Sequence, residues 1–373
     1  MNLYQKLRLI GLALKYPRIS LAKLKEILRG NSRFPSEFPH LLAISLFSGC
    51  NLSCKMCGQL SDQKVRLRDT LPAEFWAKIL KEAANKGSAI YLWGGEPTLH
   101  PEFPEILKII KSNNLVCTIN TNGSTLLKYA EQIVTNRIDS VNVSLDGPDK
   151  VHDSIRGQVG LFKRVTDGIS LISRMARRYN IKKPLVKIVA TLSEWNLNSM
   201  QDLIGEIECL EGVDMSIIQL GWFIPESAGL NNEKRIMSDF GIHATGWTGF
   251  KREPSRSFST QARSVVSSIL LDCGLRRPVL IFPNIAVNDF EAYYTDFYNT
   301  FGNTRCRSLE RELQILSDGS VSVCLDWPDV VVGDLRHQTI NEVWHGEGMI
   351  RFRKSLEVKG LFPVCCRCCG LFR

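Results

Sequence analysis

Three cysteines, Cys50, Cys54 and Cys57, fall within eight positions of the stretch FSGCNLSCKMCGQ at residues 47–59. A closed metal site usually takes four protein ligands, so this C-x3-C-x2-C triplet is one short. Three thiolates on a short loop can each hold one iron of a four-iron, four-sulfur cluster and leave the fourth iron open to a substrate or cofactor. A zinc site completed from elsewhere, or structural cysteines, are the alternatives at this point. The polar residues between the cysteines do not read as a core segment.

The chain holds twelve cysteines in 373 residues. Nine of them cluster tightly or flank an expected hairpin, as metal ligands do and scattered core residues do not. No apolar stretch approaches the ~18 residues of a membrane span, and no secretory signal pattern is visible at the start. These features point to a cytoplasmic chain with reduced thiols rather than a disulfide framework. The formal charge is +9. Residues 1–30 carry seven of the Lys and Arg residues and one acid, Glu26, so most of the excess sits there and a nucleic-acid partner is disfavoured. Leu3, Leu7, Ile10 and Leu14, then Leu21, Leu24 and Leu28 beyond Pro17, recur at helical spacing. A pair of amphipathic helices packed on the domain is expected; a basic helix lying on an anionic membrane, a peripheral contact, is the sharper reading.

The elements that would position the triplet begin near residue 41. Strands are expected at 41–47, 89–95, 115–123, 140–147, 184–192 and 215–223. Helical patterns lie between them at 71–87, 101–114, 161–180 and 196–212, with a shorter one in LLKYAEQIVTN. Thr70 is the expected N-cap of the first, with Pro72 in its first turn and Gly87 at its end. Alternating strands and helices imply βα units on a parallel sheet, with chemistry at the carboxyl ends of the strands. The triplet, Gly94-Gly95-Glu96-Pro97, Asn122-Gly123 and Ser144-Leu145-Asp146-Gly147 all fall at such ends. Residues 236–300 read less regularly, and ELQILSDGSVSVC at 312–324 reads as two strands around a turn.

On the triplet, the GGEP at 94–97 and VSLDGPDKVHDSIRG at 143–157, the sequence resembles the radical S-adenosylmethionine superfamily. The resemblance implies an α/β fold, a partial (β/α)6 TIM-type barrel, with a small C-terminal cysteine-rich α+β domain. It divides the chain into a basic helical segment (1–40), a barrel (41–235), a linker or substrate-side region (236–300) and an auxiliary-cluster domain (301–373). It implies a [4Fe-4S] cluster on Cys50, Cys54 and Cys57, with S-adenosylmethionine on the open iron. Electron transfer to the sulfonium would then release a 5′-deoxyadenosyl radical that takes hydrogen from a substrate. Gly94, Gly95 and Glu96 would meet the methionine amine, Ser144 and Arg156 its carboxylate, and the backbone near Gln219 and Leu220 the adenine. The position before the third cysteine, often aromatic in the superfamily, is Met56. A flavodoxin- or ferredoxin-type electron donor is implied as well.

The C-terminal segment resembles the SPASM or twitch appendage of such enzymes. Cys306, Gly319 and Cys324 fit its first half, but only four residues follow Cys369, too few for its last cysteines. Six cysteines suffice for one four-cysteine cluster and not for two. Cys306, Cys324, Cys365 and Cys368 are its expected ligands. Cys366 and Cys369 leave the register open, and a structural zinc in the same ligands is the alternative. Cys117 and Cys209 read as small core residues. Cys273 reads as an inert thiol, a spare ligand or a thiol that returns hydrogen to a substrate radical, and His100 as a loop-packing residue. The substrate class is left as a peptide or protein, or a sugar-type molecule that is oxidised or epimerised, with a separate leader-binding partner admitted. The opposing reading is a non-catalytic zinc- or cluster-bearing protein that binds RNA or membrane through its basic N-terminus.

Overall fold

The computed structural model describes residues 3–29, 35–59, 70–324, 328–368 and 370–372. One sheet of ten strands runs through it. β1 (Leu41–Phe47), β2 (Ala89–Gly94), β3 (Cys117–Thr121), β4 (Ser140–Ser144), β5 (Leu185–Leu192) and β6 (Met215–Leu220) pair in parallel, in sequence order. This is the α/β architecture the motifs imply, a partial (β/α)6 barrel. Period-two burial separates the two faces of the sheet: along β5 the exposure alternates strictly from Val186 onward, with Lys187, Val189 and Thr191 on the half-open inner side. Their neighbours Val186 and Ile188 are fully buried beneath the helices.

The helices are α1 (Leu3–Lys15), α2 (Pro17–Arg29), α3 (Ala73–Lys86), α4 (Phe103–Ser112), α5 (Leu126–Thr135), α6 (Asp149–Arg156), α7 (Leu161–Arg178), α8 (Met200–Cys209), α9 (Glu226–Phe240) and α10 (Arg256–Leu271), with shorter ones beyond. α3 buries Trp76, Ile79, Leu80 and Ala83, one stripe at helical spacing, against the sheet. Gly87 ends it in the left-handed region at φ 73°. Its start departs from expectation. Thr70 does not cap it; Pro72 is the N-cap, and the Ala73 N–H donates to the Glu102 carboxylate at 2.7 Å.

The sheet extends past both edges of the expected six strands. β7 (Val279–Phe282) lies parallel to β6, so the irregular 236–300 segment contributes a strand, introduced by α10. On the other side β8 (Glu312–Ile315) lies parallel to β1 and forms an antiparallel hairpin with β9 (Ser320–Ser322), followed by β10 (Val331–Asp334). Gly319, at φ 86°, closes that hairpin turn. The cysteine-rich tail is therefore rooted in the barrel's own sheet.

α1 and α2 pack across the starting ends of the strands. Gln5 accepts from the Val279 N–H at 3.0 Å. Lys15 and Tyr16 each bond Asp214, just before β6, at 2.9 Å. Arg18 pairs with Asp139, just before β4, at 2.8 Å. The expectation of an apolar face turned inward does not hold. The deeply buried side chains on this face are Gln5 and Tyr16, while Leu7, Ile10, Leu14, Leu21 and Leu24 are exposed.

Candidate functional site

The cysteine loop leaves β1 at its carboxyl end and is braced from three sides. The Gly95 and Glu96 N–H groups donate to the carbonyls of Phe47 and Gly49, both at 2.9 Å. A Cβ on Gly95 would sit 2.3 Å from the Gly49 oxygen, and one on Gly94 2.5 Å from that of Phe47. The two glycines are therefore needed first so that the end of β2 can lie against the segment feeding Cys50. From α6, the Ile155 carbonyl accepts from the Lys55 N–H at 2.9 Å. From the segment after α9, Arg252 donates to the Lys55 carbonyl at 3.0 Å, and the Phe250 ring fills the space a Cβ on Gly58 would take.

All three thiols are half-exposed. Cys50 and Cys54 both lie within electrostatic reach of Cys57. Two donors face their sulfurs: Asn122 Nδ2 lies 3.6 Å from Cys50 Sγ, and Arg156 Nη1 3.6 Å from Cys54 Sγ. Burial pushes the Cys54 thiol up to about 11, with Arg156 pulling it down. A bound metal outweighs that cost and deprotonates its thiol outright. Among the described residues no three His, Cys, Asp or Glu side chains converge closely enough to share one metal ion. A four-iron cube, which takes each thiolate on a different iron, calls for a wider spread, and the triplet fits it.

Glu96 is fully buried and ties two strand ends together. Its Oε1 accepts from the Thr98 N–H (3.2 Å), the Thr98 hydroxyl (2.5 Å) and the Thr121 hydroxyl (2.7 Å), and its Oε2 from the Asn122 N–H (2.6 Å). Burial raises its pKa against the pull of these bonds. Asn122, which then reaches Cys50, is thus set in place by Glu96. At the end of β4, Ser144 is half-buried and its hydroxyl has no hydrogen-bond partner among the described residues. Arg156 Nε and Nη2 each lie 2.5 Å from Asp146 Oδ2. Asp146 is itself fully buried and accepts from the Thr191 N–H at 2.8 Å. The motif held Asp146 in plain view, yet its role was not legible, because the salt bridge forms only once α6 turns back over the strand. Trp93 and Trp222 add two buried indole N–H groups with no acceptor among the described residues.

The second cysteine group assembles at the end of the chain. The Arg307 N–H donates to the Gly370 carbonyl at 3.1 Å, joining the Cys306 segment to the tail. The Cys368 N–H donates to the Cys365 carbonyl at 3.0 Å, and the Gly370 N–H to Cys368 Sγ at 3.3 Å. Cys365 is in electrostatic contact with Cys306, whereas Cys366 faces Arg367 and Asp296. Cys324 follows β9, and its N–H donates to the Ser322 hydroxyl at 3.2 Å. Cys369 lies outside the described residues. Between the cysteines, Arg367 is buried. It donates to the carbonyls of Tyr293, Asn299, Asp296 and Cys366 at 2.5–2.9 Å, with its guanidinium 4.7 Å from the Tyr293 ring centre.

Other expected residues fare differently. Cys117 is buried in β3 as expected, but Cys209 is exposed at the end of α8. Cys273 is exposed between α10 and β7, beside Arg276 and Arg277, which bond the end of α8. It therefore lies by the start of β7, whereas the triplet follows the carboxyl end of β1. His100 packs in its loop: it is buried, with Nε2 3.0 Å from the Leu71 carbonyl and Nδ1 accepting from the Glu102 N–H.

An incomplete cysteine triplet at the mouth of a partial parallel barrel, with a second cysteine group tied to the same sheet, defines an iron–sulfur enzyme class. The Radical SAM superfamily profile matches residues 44–204, and that of the SPASM iron–sulfur cluster-binding domain matches residues 306–369. These matches mark a radical SAM domain over residues 44–204 and a C-terminal SPASM domain over residues 306–369. The chain's cofactors are accordingly a [4Fe-4S] cluster with S-adenosylmethionine, and auxiliary iron–sulfur. An AdoMet-dependent heme synthase of Methanosarcina barkeri is 24% identical over 331 residues, 88% of each chain. The sporulation killing factor maturation protein SkfB of Bacillus subtilis is 29% identical over 171 residues, 45% of this chain and 40% of that one. In fold, the chain is similar to SuiB of Streptococcus suis bound to its precursor peptide SuiA. The TM-score is 0.60 at 18% identity, over 95% of this chain and 74% of that one.

Proposed function

We propose that the chain cleaves S-adenosylmethionine reductively at Cys50, Cys54 and Cys57 and abstracts hydrogen from a peptide or protein. The observation that carries the site is the bracing of Cys54 and Cys50 by Arg156 and Asn122, each fixed in turn by a buried carboxylate. When bound, the cluster supplies the electron that splits the sulfonium. The chain's residues bind, aim and exclude water.

Asp146 takes only one edge of the Arg156 guanidinium, so its outer donors remain near Cys54 for the carboxylate of the methionine moiety. The unpartnered Ser144 hydroxyl is a further donor at the same strand end. Gly94 and Gly95 use their small size to hold the loop, and the backbone of their turn is what would meet the ammonium, with Glu96 acting from behind. At the second site, the facing of Cys365 toward Cys306 favours Cys306, Cys324, Cys365 and Cys368 as auxiliary ligands, with Cys366 turned away.

The peptide reading is supported by SkfB, a maturation protein, and by SuiB, which was solved with a precursor peptide. The heme synthase, matched along most of its length, favours a second reading in which a heme-type molecule is the substrate. Anaerobically rebuilt protein should hold ~8 iron atoms and form 5′-deoxyadenosine when reduced with S-adenosylmethionine. Cys54→Ala should lose that product and keep the auxiliary iron. Continued cleavage by Cys54→Ala would defeat the assignment, and deuterium transfer from labelled peptides or from porphyrins into 5′-deoxyadenosine separates the two readings.

A further inference from the structure

The first two helices are docked the wrong way round for ordinary amphipathic packing. Their anchoring contacts to the barrel are polar: Gln5, Lys15, Tyr16 and Arg18 engage Val279, Asp214 and Asp139. Leu9, Leu12 and Ile19 are half-buried, but five other aliphatic side chains are exposed. Leu7 is 56% exposed, Ile10 57%, Leu14 78%, Leu21 56% and Leu24 48%. Leu7, Ile10 and Leu14 share one face of α1 at i, i+3, i+7 spacing. Leaving five large aliphatic side chains in water on two consecutive helices is costly unless something covers them.

Charge identifies the cover. Residues 3–25 hold Lys6, Arg8, Lys15, Arg18, Lys23 and Lys25 and no acid. Cations beside an outward apolar stripe match a surface whose interior is hydrocarbon and whose rim is anionic. A protein groove would need acids of its own, placed to match. No helix among the described residues is long and apolar enough to cross a membrane, so the contact is one of lying on the surface.

A second feature adjoins the stripe. Beneath α2, at the starting end of the barrel, is a cavity of about 590 Å³ whose lining includes Arg18, Lys23, Lys25, Lys187, Arg311 and Glu312. Five cations and one acid line it, with Arg18 already paired to Asp139 outside the lining. Lys187 has no hydrogen-bond or ion-pair partner among the described residues. Burial and the neighbouring Lys23 bring its pKa down to about 8. A multivalent anion in the cavity would relieve that opposition.

We propose that α1 and α2 dock on an anionic phospholipid bilayer, with Leu7, Ile10, Leu14, Leu21 and Leu24 in the headgroup layer and a lipid phosphate in the Lys23–Lys187 cavity. All the anchoring contacts lie at the starting ends of the strands, so the triplet's mouth faces away from the bilayer and stays open to substrate.

The test is flotation of the full chain with vesicles of phosphatidylcholine alone or with 30% phosphatidylglycerol added, at low and high salt. Binding is expected on the anionic vesicles only, weakened by salt. Leu7→Ser/Leu14→Ser should lower it on the order of 100-fold, about tenfold for each leucine withdrawn from an apolar environment. Lys23→Glu/Lys25→Glu should abolish it. Both variants should cleave S-adenosylmethionine at the parent rate, since neither touches the site. Absence of binding to anionic vesicles, equal binding to neutral ones, or binding unchanged in the leucine variant each overturns the proposal. A dimer in light scattering that the leucine variant dissociates, without vesicle binding, overturns it in favour of a second copy.

Discussion

Removing Asp146 isolates the one salt bridge on which the reading of Arg156 depends. The carboxylate is fully buried, and the Arg156 side chain is 12% exposed. Both Arg156 contacts to Oδ2 are 2.5 Å, and Oδ1 holds the Thr191 N–H. Asp146→Ala leaves a buried guanidinium without its anion, which costs about 3–5 kcal/mol. It also strips the Thr191 N–H of its acceptor, a further cost of about 1–3 kcal/mol where water does not replace it. Allowing for some water entry, a loss of about 4 kcal/mol is expected. Arg156→Met alone leaves the opposite orphan, a buried carboxylate, and should cost about 3 kcal/mol. The double variant has neither orphan, so its loss should fall short of the sum by about 2 kcal/mol or more. Urea unfolding of the four proteins gives the coupling, and the apparent KM for S-adenosylmethionine in the 5′-deoxyadenosine assay should rise in both single variants. The reasoning fails if Asp146→Ala costs under about 1 kcal/mol, or if the single costs simply add.

Gly95→Ala places a methyl 2.3 Å from the Gly49 oxygen, so the loop must move. Iron per chain should fall from ~8 to ~4 with the auxiliary iron retained. Arg367→Lys replaces four donated hydrogen bonds by at most three from one ammonium, which cannot span carbonyls on both sides of the tail. The auxiliary iron should be lost first in that variant, as read by iron and sulfide analysis with cleavage at the triplet still measurable. His152 is buried and accepts from the Asp146 N–H at 3.1 Å. Burial, helped by Arg156, lowers its pKa from 6.5 to about 3. The unfolded chain therefore takes up a proton that the folded one refuses. The stability this group contributes is complete above pH 6.5 and drains away as pH falls toward 3. Between pH 6.5 and 5 the loss is about 2 kcal/mol, and His152→Gln should flatten that slope in urea titrations.

The barrel was legible because its code is local. Apolar runs such as LLAISLF need only neighbours of the same kind, and the helices between them show one stripe each. β1 spans the residues its sequence pattern marks, Leu41–Phe47. β7 escaped because Val279–Phe282 is four residues long and follows an irregular stretch, so nothing in its own composition separates it from a loop. The triplet was legible for the same local reason. Its supports were not: Glu96, Asp146 and Asn122 act across strands, and their hydrogen-bond partners stand two to seventy-two positions away. Thr70 shows the same limit at smaller scale. A capping pattern was present, but Glu102 from the next loop supplied the bond.

α1 and α2 show where periodicity stops informing. Spacing reveals that a helix has an apolar face and says nothing about the direction that face takes, because direction depends on what the rest of the protein offers. Here the starting ends of the strands offer Asp139 and Asp214, and these acids attract Arg18, Lys15 and Tyr16. Asp214 is held below the usual carboxylate range by Lys183 and Lys15, despite its burial. It stays charged near neutral pH and keeps the polar side of the helices turned inward. Asp214→Asn should therefore loosen both helices together and raise their amide exchange, leaving the cluster site intact. If only α1 loosened, Arg18 and Asp139 would be holding α2 unaided, and the outward stripe would be set by two independent contacts in place of one shared anchor.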